Sequence, residues 1–270
     1  MLARSAKALL SGLIDYAGLF PPAALSMEEA VRNYARYREG EHAWMLGRFV
    51  VPQARAHEVP KEFAVSVLGV DEIKFSELEV LLPSQFEPRT SNLNLTGASG
   101  SRFEVRGESE EAVPRFIEIA DVDHIAELAK HNLAAKIRTG GVTADAIPDV
   151  DRVATFIRVC ALHGIPFKAT AGLHHPVRCM RALTYEADAP RATMHGFLNV
   201  FMAAAFPHDA ERVLSEEDPH AFRFEDEVAR WRDKAVTTEH LAAVRRDFAI
   251  SFGSCSFEEP VTELKELGIL

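Results

Sequence analysis

Along the 270-residue chain, short apolar runs alternate with stretches whose apolar positions recur every three to four residues, the pattern of repeated strand–helix units. The clearest units lie in the second half. Residues 133–139 read as a strand ending at Gly140-Gly141. Residues 151–163 read as a helix with Val153, Phe156, Ile157, Cys160 and Ala161 on one face and Gly164 as its C-terminal stop. Residues 165–170 form the next strand, and residues 248–252 the last before a short helix over 261–267. Upstream, residues 12–17, 44–51, 63–68, 78–82 and 115–119 are strand candidates, with 103–106 an alternative to 78–82 as the fourth. Ser26 caps a helix running to about Arg38, and residues 124–131 form another.

Eight strands in this alternation predict an α/β fold, a (β/α)8 TIM barrel, as a single domain over residues 1–270 with an insertion between strands 7 and 8. The insertion, between Thr170 and Phe248, holds an apolar helix over 194–206 and a hairpin over 222–236. Residues 90–101, rich in Ser, Asn, Thr and Gly, read as a loop. A doubly wound open sheet is the runner-up, but no Gly-x-Gly-x-x-Gly follows any strand.

Composition narrows the function classes. A net charge of −10 excludes a general nucleic-acid binder, which needs a basic surface to displace counterions. It leaves room for a small anionic substrate in a local basic pocket. Three cysteines, with no Cys-x-x-Cys pair, suit a reducing compartment. Residues 8–14 faintly imitate a signal peptide, but Asp15 interrupts the run and no small-residue cleavage site follows. No run reaches the roughly 18 apolar residues of a membrane span. The expectation is a cytoplasmic protein with a small-molecule substrate, no nucleic-acid or membrane partner and no cofactor, its assembly into homo-oligomers left open.

Strand alternation then selects candidate site residues. With Ile137 facing the helices, Lys136 and Arg138 point into the barrel; with Phe167 outward, Lys168 and Thr170 do the same. Glu118 follows on the fifth strand, Asp15 on the first and Arg48 on the second. A buried lysine is costly unless paired or functional, so two on adjacent strands beside an arginine carry information. The bland alternative is that both lysines lie on the helical layer and extend to solvent.

The segment Lys136-Ile-Arg-Thr-Gly-Gly141, followed after a helix by Phe167-Lys-Ala-Thr-Ala-Gly-Leu173, resembles strands six and seven of the deoxyribose-phosphate aldolases. Phe252-Gly-Ser-Cys-Ser256 is similar to that family's phosphate loop. The resemblance covers residues 133–175 and 248–257, about a fifth of the chain. It implies a class I aldolase-like lyase in which Lys136 is the Schiff-base nucleophile and Lys168 its electrostatic partner, with Gly253 and Ser254 binding substrate. An amine must be neutral to attack a carbonyl, and a neighbouring cation with partial burial favours that form. Glu118 or Asp15 would move protons. Arg138 stands where the family has a small residue, and its fork suits a carboxylate or phosphate. His174 and His175 also depart from the family and are assigned to substrate contact, with Arg48 and Thr170. Glu258 and Glu259 follow the loop and would repel a phosphate, so a non-phosphorylated oxo-acid competes with a sugar-like substrate.

Three rival readings remain. His174, His175, His195, Glu118, Glu79 and Asp15 are of metal-ligating type, but no His-x-His or His-Glu-x-x-His spacing is present, and no metal ligand is assigned. For His195 the alternative is a position at a helix N-terminus with Asn199 on the same face, while His57, His163, His208 and His220 read as surface residues. Cys255, at a strand-to-helix turn, reads as an inert buried residue rather than a nucleophile. Finally, a non-catalytic binding barrel would pair Lys136, Arg138 and Lys168 with Glu118, Glu79 and Asp15, whereas the aldolase reading expects an open pocket.

Overall fold

The computed structural model describes residues 2–69, 78–82 and 115–270. The first helix, α1 (Arg4–Leu10), leads into strand β1 (Ile14–Tyr16). Helix α2 (Met27–Arg38) starts at a capping box: the Ser26 hydroxyl accepts from the Glu29 amide while the Glu29 carboxylate accepts from the Ser26 amide. Strands β2 (Leu46–Pro52), β3 (Val65–Gly69), β4 (Leu78–Leu82) and β5 (Arg115–Glu118) follow, then α3 (Ile125–Lys130) and β6 (Ala134–Arg138). Helix α4 (Val150–His163) is closed at both ends, Asp149 accepting from the Arg152 amide and Gly164 turning the chain left-handed at φ 63°. After β7 (Phe167–Thr170) come β8 (Cys179–Ala182), β9 (Arg191–Met194), α5 (Phe197–Ala205), α6 (Ala210–Leu214), β10 (Phe222–Phe224), β11 (Val228–Trp231), β12 (Lys234–Thr237) and α7 (Thr238–Asp247). Strand β13 (Ala249–Ser254) and helix α8 (Glu258–Glu266) end the chain.

Seven strands run parallel in the order β3-β2-β1-β13-β7-β6-β5 and curl into a half-barrel. Strand β4 lies between the two edges, antiparallel to both β3 and β5. The fold is therefore α/β and barrel-like, but the expected closed, all-parallel (β/α)8 barrel is not formed. The reason is chain length. Only residues 70–77 separate β3 from β4, and a parallel crossover needs a dozen or more. The fourth strand is 78–82; its alternative at 103–106 and the loop at 90–101 lie outside the described residues.

The segment between β7 and β13 differs from expectation in two places. Met194, read as the start of the apolar helix, instead ends strand β9, which pairs with β8 as a hairpin, and α5 begins at Phe197. The predicted hairpin over 222–236 is a three-stranded antiparallel sheet, β10-β11-β12. Helix α5 is buried along its whole length, as befits its almost wholly apolar sequence.

The main core lies between the sheet's outer face and the helices. Phe156 meets Phe167 edge-on at 5.6 Å, and Phe197 stacks on Phe252 at 5.2 Å. Inside the ring, among the described residues, the apolar content is small: Phe116 and Ala134, with Ile250 packed against them, form a separate cluster. Above that floor the buried side chains are polar, namely Asp15, Ser66, Lys136, Lys168 and Ser251. Barrel interiors are ordinarily filled by branched apolar residues, so this polar layer locates the candidate site. Among the described residues, no helix is long and apolar enough to cross a membrane.

Candidate active site

The period of two along each strand brings the inward residues together. Lys136 on β6 is in register with Lys168 on β7 and with Glu118 on β5. Both lysines are essentially inaccessible, at 0% and 1% exposure. Lys168 Nζ lies 2.7 Å from Asp15 Oδ2, 3.4 Å from the Ser66 hydroxyl and 5.8 Å from the centre of the Phe116 ring. The Asp15 carboxylate is held on its other sides. Its Oδ1 accepts from the Arg48 backbone amide at 2.6 Å, and its Oδ2 accepts from the Ser251 hydroxyl at 2.8 Å. A register shift between Ala249 and Ser251 aims that hydroxyl at Asp15, the usual effect of a bulge. Gly47 is required here, because a Cβ at that position would stand 2.2 Å from Asp15 Oδ1.

Lys136 is held differently. Its Nζ is 3.6 Å from Glu118 Oε2, and Glu118 also accepts from Arg138, at 3.2 Å from Nε and 3.4 Å from the terminal nitrogen. Arg138, whose side chain is 48% exposed, marks the mouth above the buried Lys136. The turns after β6 and β7 press together, a Cβ on Gly140 falling 2.8 Å from the Gly172 Cα. Gly172 sits at φ 75°, and the Thr139 hydroxyl donates to the Ala171 carbonyl at 2.6 Å. Thr170 is in register with Gly253 and Asp15 with Gly253, so Thr170, Gly253 and Ser254 lie at the same end of the sheet. Arg48 takes part through its backbone; its side-chain Nε is buried with no hydrogen-bond partner among the described residues.

His174 and His175 stand apart from the lysines, on the chain leaving β7, and each meets a glutamate of α8. His175 Nδ1 is 2.7 Å from Glu263 Oε1, and His174 Nδ1 is 3.1 Å from Glu259 Oε2. The other ring nitrogen of His174, Nε2, is 3.9 Å from the sulfur of Cys255. The Tyr185 hydroxyl donates to Glu259 Oε2 at 3.0 Å and lies 3.6 Å from the same sulfur. Burial works against a charged His174, but its hydrogen bonds to Cys255 and Glu259 prevail and raise its pKa to about 9. Glu259 is shifted the other way: burial opposes its charge, yet His174 and Tyr185 hold the carboxyl below its ordinary range. The sequence reading had Cys255 as inert and Glu259 only as a helix-start residue. Tyr185, on the connection between β8 and β9, carried no signal, since its role depends on a contact 70 residues away.

The remaining histidines divide cleanly. His195 is fully buried and bonds the Pro148 carbonyl at 2.8 Å, with burial lowering its pKa. Asn199 is a structural bridge, accepting from the Arg178 amide and donating to the carbonyls of Val213 and Glu216. His57, His163, His208 and His220 are exposed. Among the described residues, no three His, Cys, Asp or Glu side chains converge on a metal position. The Glu79 side chain lies outside the described residues. Comparison with family models, curated proteins and solved structures returns no match, so the chemistry of this site is argued from its geometry.

Proposed function

We propose that the protein is a lyase of the Schiff-base type, using Lys136 as the amine and acting on a small oxo-acid or sugar-like carbonyl compound. The observation that carries this reading is the placing of two buried lysines in register on adjacent strands, each beside a carboxylate. Lys168 is clamped to Asp15 at 2.7 Å, a distance of a strong charge-assisted bond. Lys136 lies 3.6 Å from Glu118, a carboxylate it shares with Arg138. A Schiff base needs an amine beside a group that moves protons, and Glu118 lies next to Lys136 on the neighbouring strand.

Each group then has a step. Lys136 Nζ adds to the carbonyl carbon, and the carbinolamine loses water as Glu118 delivers a proton to the departing oxygen. The resulting iminium draws electrons from the adjacent carbon–carbon bond as it breaks, and Glu118 takes the proton released. Arg138, at the mouth, pairs with a substrate carboxylate in place of Glu118. The barrel-like sheet suits an enzyme of this kind.

A second reading has its own support, because each of the three cations faces a carboxylate and the lysines are closed off from solvent. That arrangement suits a binding barrel without chemistry. Borohydride trapping with a panel of small aldehydes and oxo-acids, read by peptide mass spectrometry, separates the two. The lyase reading expects a reduced adduct on the Lys136 peptide, abolished in Lys136→Met and slowed at least tenfold in Lys168→Met. No adduct across the panel, in protein with native circular dichroism, selects the binding barrel.

A further inference from the structure

We propose that Cys255, His174 and Glu259 form a second reactive centre, a nucleophilic thiol that accepts an acyl group from a small ester or thioester bound in the adjoining cavity. This goes beyond the lysine chemistry and does not depend on it. The three groups come from separate elements, Cys255 from the end of β13, His174 from the chain after β7 and Glu259 from the first turn of α8. They are arranged in series, with Sγ to Nε2 at 3.9 Å across one side of the imidazole and Nδ1 to Oε2 at 3.1 Å across the other. A carboxylate on Nδ1 fixes the ring so that Nε2 faces the sulfur, the orientation a base needs to take the thiol proton.

A cavity of about 170 Å³ adjoins this series, with His174, Tyr185 and Glu259 in its walls. Since a water occupies about 30 Å³ of liquid, the space admits an acyl group of a few carbons. Arg181 also lines it and supplies positive charge for an acidic acyl tail. The Thr184 hydroxyl, in the same wall, is buried without a hydrogen-bond partner among the described residues, an open donor for a carbonyl oxygen. Cys255 itself is only 6% exposed, and the group over its sulfur is the phenol of Tyr185, a residue 58% exposed. Rotation of that one surface side chain joins the sulfur to the cavity.

The chemistry closes without an added reagent. With the proton held on His174 Nε2, sulfur bonds to the acyl carbon, and the bond to the alkoxide or thiolate leaving group breaks. The leaving group departs with the proton from Nε2. Water then attacks the thioester while giving a proton to Nε2, the carbon–sulfur bond breaks, and the acid leaves with that proton held on Nε2 again. The charged and titratable groups around the pair are Tyr16 from β1, His175 beside His174, Tyr185 from the β8–β9 connection, and Glu258, Glu259 and Glu263 from α8.

The other two cysteines serve as internal controls in the whole protein. Burial pushes the thiols of Cys160 and Cys179 up, and no histidine acts on either among the described residues. The test is acetylation by p-nitrophenyl acetate followed by peptide mass spectrometry, with iodoacetamide as a second probe. The proposal expects a burst of about one nitrophenolate per chain, the acetyl group on the Cys255 peptide, and loss of the burst in Cys255→Ser. Between pH 6.5 and 8.5 the Cys255 alkylation rate stays within about threefold, whereas that of Cys179 rises about tenfold per unit as an ordinary thiol does. His174→Gln and Glu259→Gln each slow Cys255 by tenfold or more, and His174→Gln restores the ordinary rise with pH. The proposal is overturned if Cys179 reacts ahead of Cys255 in folded protein, or if both glutamine variants, native by circular dichroism, leave the Cys255 rate unchanged. The adduct lies on a different peptide from Lys136, so the failure of either site is read without reference to the other.

Discussion

Two buried cations, Arg245 and Lys168, sit at opposite ends of the same sheet and are satisfied in opposite ways. Arg245, 7% exposed on α7, donates to the carbonyls of Leu9, Ala249, Ile250 and Ser11, and its guanidinium lies 5.0 Å from the centre of the Phe201 ring. Its partners are backbone groups at the ends of α1 and β13 that need a donor once they leave their elements. Lys168 is answered by a carboxylate, Asp15, that is itself buried at 0% exposure. The first arrangement stitches chain ends together through carbonyls, with Asp15 acting on the guanidinium by charge alone. The second concentrates titratable groups where strand ends meet, at a cost in desolvation that stability alone does not require. The comparison teaches that burial of a charge does not by itself mark a site; the identity of its partner does.

The largest test of this contrast is Arg245→Met. Several carbonyls lose their donor together, and at about 1–3 kcal/mol for each buried unsatisfied group the loss should reach about 4 kcal/mol. The midpoint of urea denaturation measures it, and a loss under about 1 kcal/mol would show that water replaces the guanidinium. Next is Asp15→Asn, which leaves the ammonium without this carboxylate and should cost about 3 kcal/mol. Adding Lys168→Met to Asp15→Asn should recover most of that loss, since replacing both members of a buried pair is often neutral. A double variant no more stable than Asp15→Asn alone would place Lys168 with Arg245 as a structural cation.

The smallest expected effect concerns His174. Its folded pKa of about 9 stands above the ordinary value of 6.5, so its contribution is fully present below about pH 6.5 and is lost as pH rises through 9. The shift corresponds to about 3 kcal/mol at most, at 1.36 kcal/mol per unit. Denaturation midpoints at pH 6 and pH 9.5 should therefore converge in His174→Gln relative to the parent. An unchanged difference would mean that other groups carry the pH dependence.

Much of the fold can be read locally. Asp149 and Gly164 bracket α4, and Ser26 with Glu29 opens α2, because caps and left-handed stops act within a few residues. The antiparallel β4 was legible too, in the few residues between β3 and β4, but strand counting overrode connection length. The β8–β9 hairpin was missed because Met194 and α5 form one apolar run.

Alternation along single strands determined that Lys136, Lys168, Glu118 and Asp15 face one way, since a period of two is a property of the extended backbone itself. It could not say who faces whom. Lys168 meets Asp15 only because β13 enters the sheet between β1 and β7, and the bulge in β13 brings Ser251 to the same carboxylate. Likewise Cys255, His174 and Glu259 are ordinary residues in sequence and become a series only when the exit from β7 lies against the start of α8. Orientation is local because it follows from backbone dihedrals. Partnership is tertiary because it follows from which distant strands become neighbours, and no spacing along the chain encodes that order.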